Sequence, residues 1–334
     1  MTDVSSTSII DTMTTVTDTS AVVEIANRSR LIRTSLSERL EDQSPDHLYD
    51  SIRSSIESTG GRLPATALML VGEMLAEDHV SDESLLSAAM SVEAVHAVSL
   101  FHGSLVTEGR RHGRITGDFD RETALLAGDV LFPLSLELLL EADGMGSDRR
   151  WCVELLLDAC QSFSEGHSLA CSVRKRDSVP LGAYLEVARL LSGELFESAA
   201  RLGAIIADSD PETIERSATF GRRLGIAAFL CRDFLFLSGL DPSDRVGNFE
   251  LTVSPDTVPG QDEHAMMDKS VNFPASHKIN QLDSVTRLEF ACRHTDTFVQ
   301  HAANILTAFP ETASQERLNS LCGVLNKRIH GCYS

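Results

Sequence analysis

Hydrophobic residues recur every three to four positions along most of the chain, which is the spacing of one face of an α-helix. The periodic pattern begins at Val22 and Ile25 and is interrupted by segments rich in Pro, Gly and Ser. No run of alternating apolar and polar residues is long enough to predict a β-strand. The pattern therefore predicts an all-α protein, a single large bundle of about ten helices.

Helix start signals divide this pattern into segments. N-cap residues stand before four of them, at Ser81, Asp120, Asp210 and Thr312, and the last of these opens a capping box with Gln315. Pro64 and Pro211 occupy positions where proline favours a first helical turn. Together these signals predict helices over about 65–76, 82–102, 121–143, 148–164, 181–207, 211–239, 280–308 and from 313 onward.

Two segments lack the helical pattern. Residues 1–22 are rich in Ser and Thr, so we expect a disordered polar tail before a helical domain at 23–334. Residues 240–278 contain several prolines and little periodicity, which predicts a long loop within that domain.

The charge balance limits the partners. The 334 residues include 29 Lys and Arg against 49 Asp and Glu, a formal net charge of −20. This acidity disfavours nucleic acid and anionic membrane surfaces as ligands. We find no run of 18 apolar residues and no signal peptide, so we expect no transmembrane segment and a cytoplasmic location. Lysine is rare while carboxylates are in excess, and we take this composition to indicate a halophilic source.

A series of motifs follows in a fixed order. Residues 91–129 contain Glu93, His96 and His102, then Arg110-Arg111 and then Ala127-Gly128-Asp129. Shorter matches follow at Glu165-Gly166, at Leu202-Gly203-Ala204 and at Phe220-Gly221 through Gly225-Ile226-Ala227. In this order and spacing the chain resembles the trans-isoprenyl diphosphate synthases (polyprenyl synthetases) over about 25–334.

The resemblance implies an all-helical bundle of the isoprenoid synthase type around a central cavity. In that family two D-D-x-x-D motifs face each other and hold Mg²⁺, a hard cation that prefers carboxylate and phosphate oxygens. The metal clamps an allylic diphosphate, which then reacts with isopentenyl diphosphate. The resemblance therefore implies prenyltransferase activity in isoprenoid biosynthesis, Mg²⁺ as cofactor, isoprenyl diphosphates as ligands and a dimeric assembly.

The chain departs from the family at the metal-binding positions. The first motif's aspartates fall on Gly103, Ser104 and Thr107. The second motif's fall on Arg232, Asp233 and Phe236, so Asp233 alone remains of six carboxylates. Glu108 could add a second carboxylate on the same helix face as Ser104. Asp233 and Glu108 are thus the metal candidates, but a guanidinium at Arg232 would repel a cation.

The residues that match the family's binding site for the second diphosphate are better retained. The resemblance assigns binding of the second diphosphate to four residues that carry the matching motifs: Arg62, His96, Arg110 and Arg111. His96 and Asp233 also fit a purely structural role as polar groups on helices.

Three functions remain open. The first is a non-catalytic or weakly active paralogue, a pseudoenzyme that pairs with an active prenyl diphosphate synthase. The second is an active prenyltransferase with an altered site, in which arginines replace part of the metal's charge. The third is a module that binds prenyl lipids. The assembly is a homodimer or a heterodimer with a catalytic synthase.

Overall fold

The structure, a computed structural model, describes residues 19–41, 43–58, 62–76, 81–106, 121–174, 180–237 and 284–330. Within these ranges every element of regular secondary structure is a helix, which confirms the predicted all-α class. The helices are α1 (Thr19–Arg39), α2 (Asp46–Ser58), α3 (Leu63–Leu75), α4 (Asp82–Val106), α5 (Arg121–Glu141), α6 (Arg149–Arg174), α7 (Leu181–Ala188), α8 (Glu194–Ile206), α9 (Pro211–Leu237), α10 (Ser284–Leu306) and α11 (Ala313–His330). The predicted loop at 240–278 lies outside the described residues.

Helix α4 forms the centre of the bundle. Most of its residues from Ser84 to Gly103 are buried, on all sides of the helix. It packs along α5, where the Ser91 hydroxyl donates a 2.6 Å hydrogen bond to the Ser135 carbonyl. A helix that is apolar all round belongs in a core, because every face then meets another apolar surface.

A second close contact joins α3 and α8. A Cβ atom on Gly203 would lie 2.5 Å from the carbonyl oxygen of Leu68, so the two backbones touch at this point. Residues on both sides of this contact, such as Leu70 and Leu202, are completely buried. The glycine therefore sets how closely α8 approaches the core.

Three of the four predicted N-caps are confirmed, and Asp120 lies outside the described residues. The Ser84 amide donates to the Ser81 hydroxyl at 3.1 Å, and the Glu212 amide donates to the Asp210 carboxylate at 2.9 Å. The Gln315 amide donates to the Thr312 hydroxyl at 3.1 Å, as in a capping box. The Gln315 side chain, however, donates to the Leu306 carbonyl at 3.1 Å and so joins α11 to α10 instead of closing the box.

Three predicted boundaries differ from the structure. Helix α1 begins at Thr19, inside the predicted polar tail, because Ala21 and Ile25 already face the core. Helix α6 extends ten residues beyond 164, since Ala170 and Val173 continue its buried face. The predicted helix 181–207 is interrupted by a π-helical turn at Arg189–Gly193, between α7 and α8.

Among the described residues, two helices are long and apolar enough to cross a membrane by length and composition alone. In α4, 83% of the most apolar window is buried inside the bundle, as expected for a core helix. In α5 the corresponding share is 39%. One face of α5 packs on α4, whereas Leu125, Leu126 and Leu140 are about half exposed on its other side.

Candidate diphosphate and metal site

The first wall of the site is the C-terminal end of α4. Gly103, which replaces the first aspartate of the first motif, is buried against the imidazole of His167 from α6. A Cβ atom on Gly103 would lie 2.7 Å from Cε1 and 2.9 Å from Nε2 of His167. The histidine ring therefore occupies the space that a side chain at position 103 would need.

The two helices remain in contact one turn further along. The Cys171 thiol of α6 lies 3.8 Å from the carbonyl oxygen of Val106 at the end of α4. Ser104, the second motif position, is exposed, and its hydroxyl donates a 2.6 Å hydrogen bond back to the Phe101 carbonyl. Thr107 and Glu108 lie outside the described residues.

The second wall is α9, where Arg232 replaces the first aspartate of the second motif. Its guanidinium carbon lies 4.8 Å from the centre of the Phe229 ring, a cation–π contact one helical turn back. The Phe229 ring meets Tyr184 of α7 edge to face at 6.0 Å. Asp233 and Phe236 belong to α9, but their side chains lie outside the described part of the structure.

The π-helical turn packs against α9 and contains Leu191 and Ser192, which match the positions of a Lys-Thr pair in the family that this chain resembles. Leu191 stands at the lysine position and packs on Gly166, where a Cβ atom would lie 2.7 Å from its Cδ2. Ser192 stands at the threonine position and donates a 2.8 Å hydrogen bond to the Gly225 carbonyl of α9. The local π geometry, often found at functional sites, is thus present with apolar or internally bonded side chains.

Arg62 and Glu93 form a buried ion pair. The Nε atom of Arg62 lies 3.7 Å from Oε1 of Glu93, and only 4% and 2% of the two side chains are exposed. Arg62 also donates a hydrogen bond to the Ile56 carbonyl in the last turn of α2. Burial lowers the pKa of the Arg62 guanidinium, and Glu93 partly offsets this. This geometry joins α2 to α4 and favours a structural role; diphosphate binding by Arg62 stays a prediction.

His96 lies on the other side of the same carboxylate. Its Nδ1 atom lies 3.5 Å from Oε2 of Glu93, and 22% of its side chain is exposed. Neither of these two atoms has a hydrogen-bond partner among the described residues. Of the four residues predicted to bind diphosphate, the structure thus brings Arg62 and His96 together, while Arg110 and Arg111 lie outside the described residues.

The described donors do not fit Mg²⁺. Gly103 offers no side chain, Ser104 bonds to its own helix, and Arg232 brings a positive charge to the opposite wall. Within the described ranges no group of three or more His, Cys, Asp or Glu side chains could hold a metal ion. Mg²⁺ prefers several oxygen ligands in octahedral geometry, and these residues do not supply them.

Two residues of this site, Glu93 and His167, are not among the site residues predicted from the sequence. Glu93 was matched to a motif but given no role, although its spacing of three residues from His96 already placed both on one helix face. His167 directly follows the Glu165-Gly166 match, but its contact with Gly103 depends on how α4 and α6 pack. No local pattern could have revealed that contact.

Comparison with known proteins finds relatives over nearly the whole chain. The family model described as polyprenyl synthetase matches residues 45–238. The geranylfarnesyl diphosphate synthase of Natronomonas pharaonis is 28% identical over 333 residues, covering 92% of this chain and 97% of that protein. The solved structure of a geranylgeranyl pyrophosphate synthetase from Geoglobus acetivorans gives a TM-score of 0.74 at 24% identity, covering 93% of this chain and 100% of that one.

A further solved structure shows the same fold. The polyprenyl synthase of Caulobacter crescentus, in complex with calcium and isoprenyl diphosphate, gives a TM-score of 0.71 at 19% identity over 93% of this chain and 98% of its own. The helical bundle and its likeness to these solved structures thus define a protein with the isoprenoid synthase fold. The chain belongs to the polyprenyl synthetase family, whose model covers more than half of its 334 residues.

Proposed function

We propose that this protein is a non-catalytic or weakly active member of the polyprenyl synthetase family that pairs with an active prenyl diphosphate synthase. The observation that carries the proposal is the state of the two metal-binding walls. On one wall His167 fills the space beside Gly103, and on the other Arg232 stacks on Phe229. An allylic diphosphate ionises only when the charge of the departing diphosphate is neutralised, and Asp233 is the one carboxylate left at the six motif positions that would hold Mg²⁺ for that step.

The scaffold supports the same proposal. Glycines at helix contacts, such as Gly203 and Gly221, still allow close backbone approach, so the core packing of the family is kept while its metal ligands are lost. The face of α5 that carries Leu125, Leu126 and Leu140 offers an apolar surface for another helix. We assign this face to the partner synthase, because burying its exposed leucines against a second helical subunit would remove apolar surface from water. An isologous contact through the same face would give a homodimer.

The decisive experiment is an activity assay in high KCl with isopentenyl and allylic diphosphates and Mg²⁺. Three samples are assayed: the chain alone, a catalytic family member from the same organism alone, and a mixture of the two. We expect no product from the chain alone and a changed rate or stability of the synthase in the mixture. Co-purification from the native host supplies an independent test, and a chain that never associates with a synthase would argue against pairing.

A second candidate is an active prenyltransferase with an altered site. The observation that favours it is Arg232, a guanidinium that stacks on Phe229 and has no ion-pair partner among the described residues. Arginine binds phosphate oxygens bidentately and would supply part of the charge that the metal supplies elsewhere. Turnover by the isolated chain, abolished by Arg232→Ala, would support this candidate and contradict the first.

Further proposals concern the location, the source and the ligand of this protein. We infer a cytoplasmic location and a halophilic source from composition and charge, as argued above. A module that binds prenyl lipids is the third proposal. It predicts a chain that binds an isoprenoid, forms no product and associates with no synthase.

A further inference from the structure

The contact between α4 and α6 lies where the family binds metal. Gly103 and Val106 on α4 meet His167 and Cys171 on α6, over two successive turns. Because Gly103 is buried and the half-buried imidazole of His167 lies over it, this turn of α4 is covered by α6.

We propose that His167 has taken the place of the metal site on this wall, so that α4 is held by packing on α6 without a divalent cation. Two substitutions are thereby coupled: glycine at 103 makes room for the imidazole, and a side chain at 103 would have to displace that imidazole. Restoring an aspartate at position 103 alone would force the ring of His167 to move. This inference concerns the fold of the isolated chain and does not depend on a partner.

A double-mutant cycle tests the coupling. Gly103→Ala, His167→Ala and the double variant are compared by thermal unfolding in the same concentrated KCl. Alanine normally stabilises a helix relative to glycine, so the difference between the Gly103→Ala effects in the two backgrounds is informative. We expect Gly103→Ala to raise Tm in the His167→Ala background, and to raise it less or to lower it in the natural background, where its Cβ must displace the imidazole of His167.

Gly182→Ala serves as the matched control, because a Cβ atom at this helical glycine meets nothing within 4 Å. Its effect on Tm should be small and the same in both backgrounds. The inference is overturned if Gly103→Ala behaves like Gly182→Ala in the natural background, or if the two mutations at 103 and 167 are additive. Should Gly103→Ala fail to fold, the comparison of His167→Ala with the double variant still gives the sign.

Magnesium supplies a second readout that needs no activity. A ligand that binds the folded chain raises Tm as its concentration exceeds the dissociation constant. With ionic strength held constant by exchanging KCl for MgCl₂, we expect the Tm of the natural chain to stay unchanged at millimolar Mg²⁺. A rise in Tm specific to Mg²⁺ would show that a cation site contributes to the fold and would overturn the inference.

Discussion

The carboxylate of Glu93 lies between two basic side chains, 3.7 Å from Nε of Arg62 and 3.5 Å from Nδ1 of His96. Arg62 comes from the start of α3, whereas Glu93 and His96 lie in the middle of α4, so the pair joins separate elements. The buried carboxylate compensates the positive charge of Arg62, which would otherwise lie in the core without an opposite charge. It also keeps His96 close to the only other described residue of the predicted diphosphate-binding set.

Removing the charge of Glu93 should therefore strongly destabilise the fold. We expect Glu93→Gln to lower the free energy of unfolding by about 3 to 5 kcal/mol, because Arg62 is left buried and uncompensated. Replacing both residues by apolar ones, as in Arg62→Met with Glu93→Leu, should cost less than the single change. Denaturant unfolding in constant KCl measures both, and Glu137→Gln on the exposed side of α5 is the control. Equal losses in the single and double variants would contradict the ion-pair interpretation.

The contact between α3 and α8 gives a second prediction. Gly203→Ala places a Cβ atom 2.5 Å from the Leu68 carbonyl oxygen, and backbone on both sides cannot yield without separating the helices. We expect a loss of at least about 2 kcal/mol in the free energy of unfolding. Gly182→Ala should instead be neutral or stabilising, by up to about 1 kcal/mol. Thermal and denaturant unfolding distinguish the two, and similar effects for both glycines would refute the close contact.

The exposed face of α5 gives a prediction about assembly. Leu126→Glu puts a charge on a leucine that is 50% exposed, so the fold of the monomer should be little affected. If this face binds the partner, burying the new carboxylate would weaken association at least tenfold. Sedimentation or light scattering, alone and with a candidate synthase, measures the change. Leu157→Glu on α6, at a leucine 40% exposed, is the control and should leave the assembly intact.

The charge of −20 gives a prediction about salt. Surplus carboxylates repel one another at low ionic strength, and at about 1 M salt the screening length falls to about 3 Å. We expect the midpoint of thermal unfolding to rise as KCl increases from millimolar to molar concentration. NaCl should act in the same direction, because the effect is screening. A chain that unfolds in high KCl and is most stable in low salt would exclude the halophilic interpretation.

The thiols give a prediction about reactivity. Burial raises the pKa of Cys152 and of Cys322 to about 12, so neither forms the reactive thiolate near neutral pH. We expect iodoacetamide at pH 7.5 to spare both in the folded protein and to label them after unfolding in denaturant. Peptide mass spectrometry locates the label. Rapid labelling of Cys322 in the folded chain would contradict the packing of α11 against the core.

Most of the helices and their caps followed from the sequence. Apolar periodicity and capping residues act within a few positions of one another, so Asp210, Ser81 and Thr312 could be assigned before any packing was known. The errors lie where packing overrides local preference. The π-helical turn at Arg189–Gly193 and the extension of α6 both depend on what the neighbouring helices offer.

The sequence by itself determined the helical class, the family and the loss of five of the six expected aspartates, because these depend on residue type and order along the chain. Only the tertiary structure decided what fills the vacated space. It placed His167 over Gly103, Arg232 on Phe229 and Arg62 against Glu93, and it left one face of α5 apolar and exposed. The physical reason is that most of these contacts join residues distant in the chain, whose approach is set by how whole helices pack.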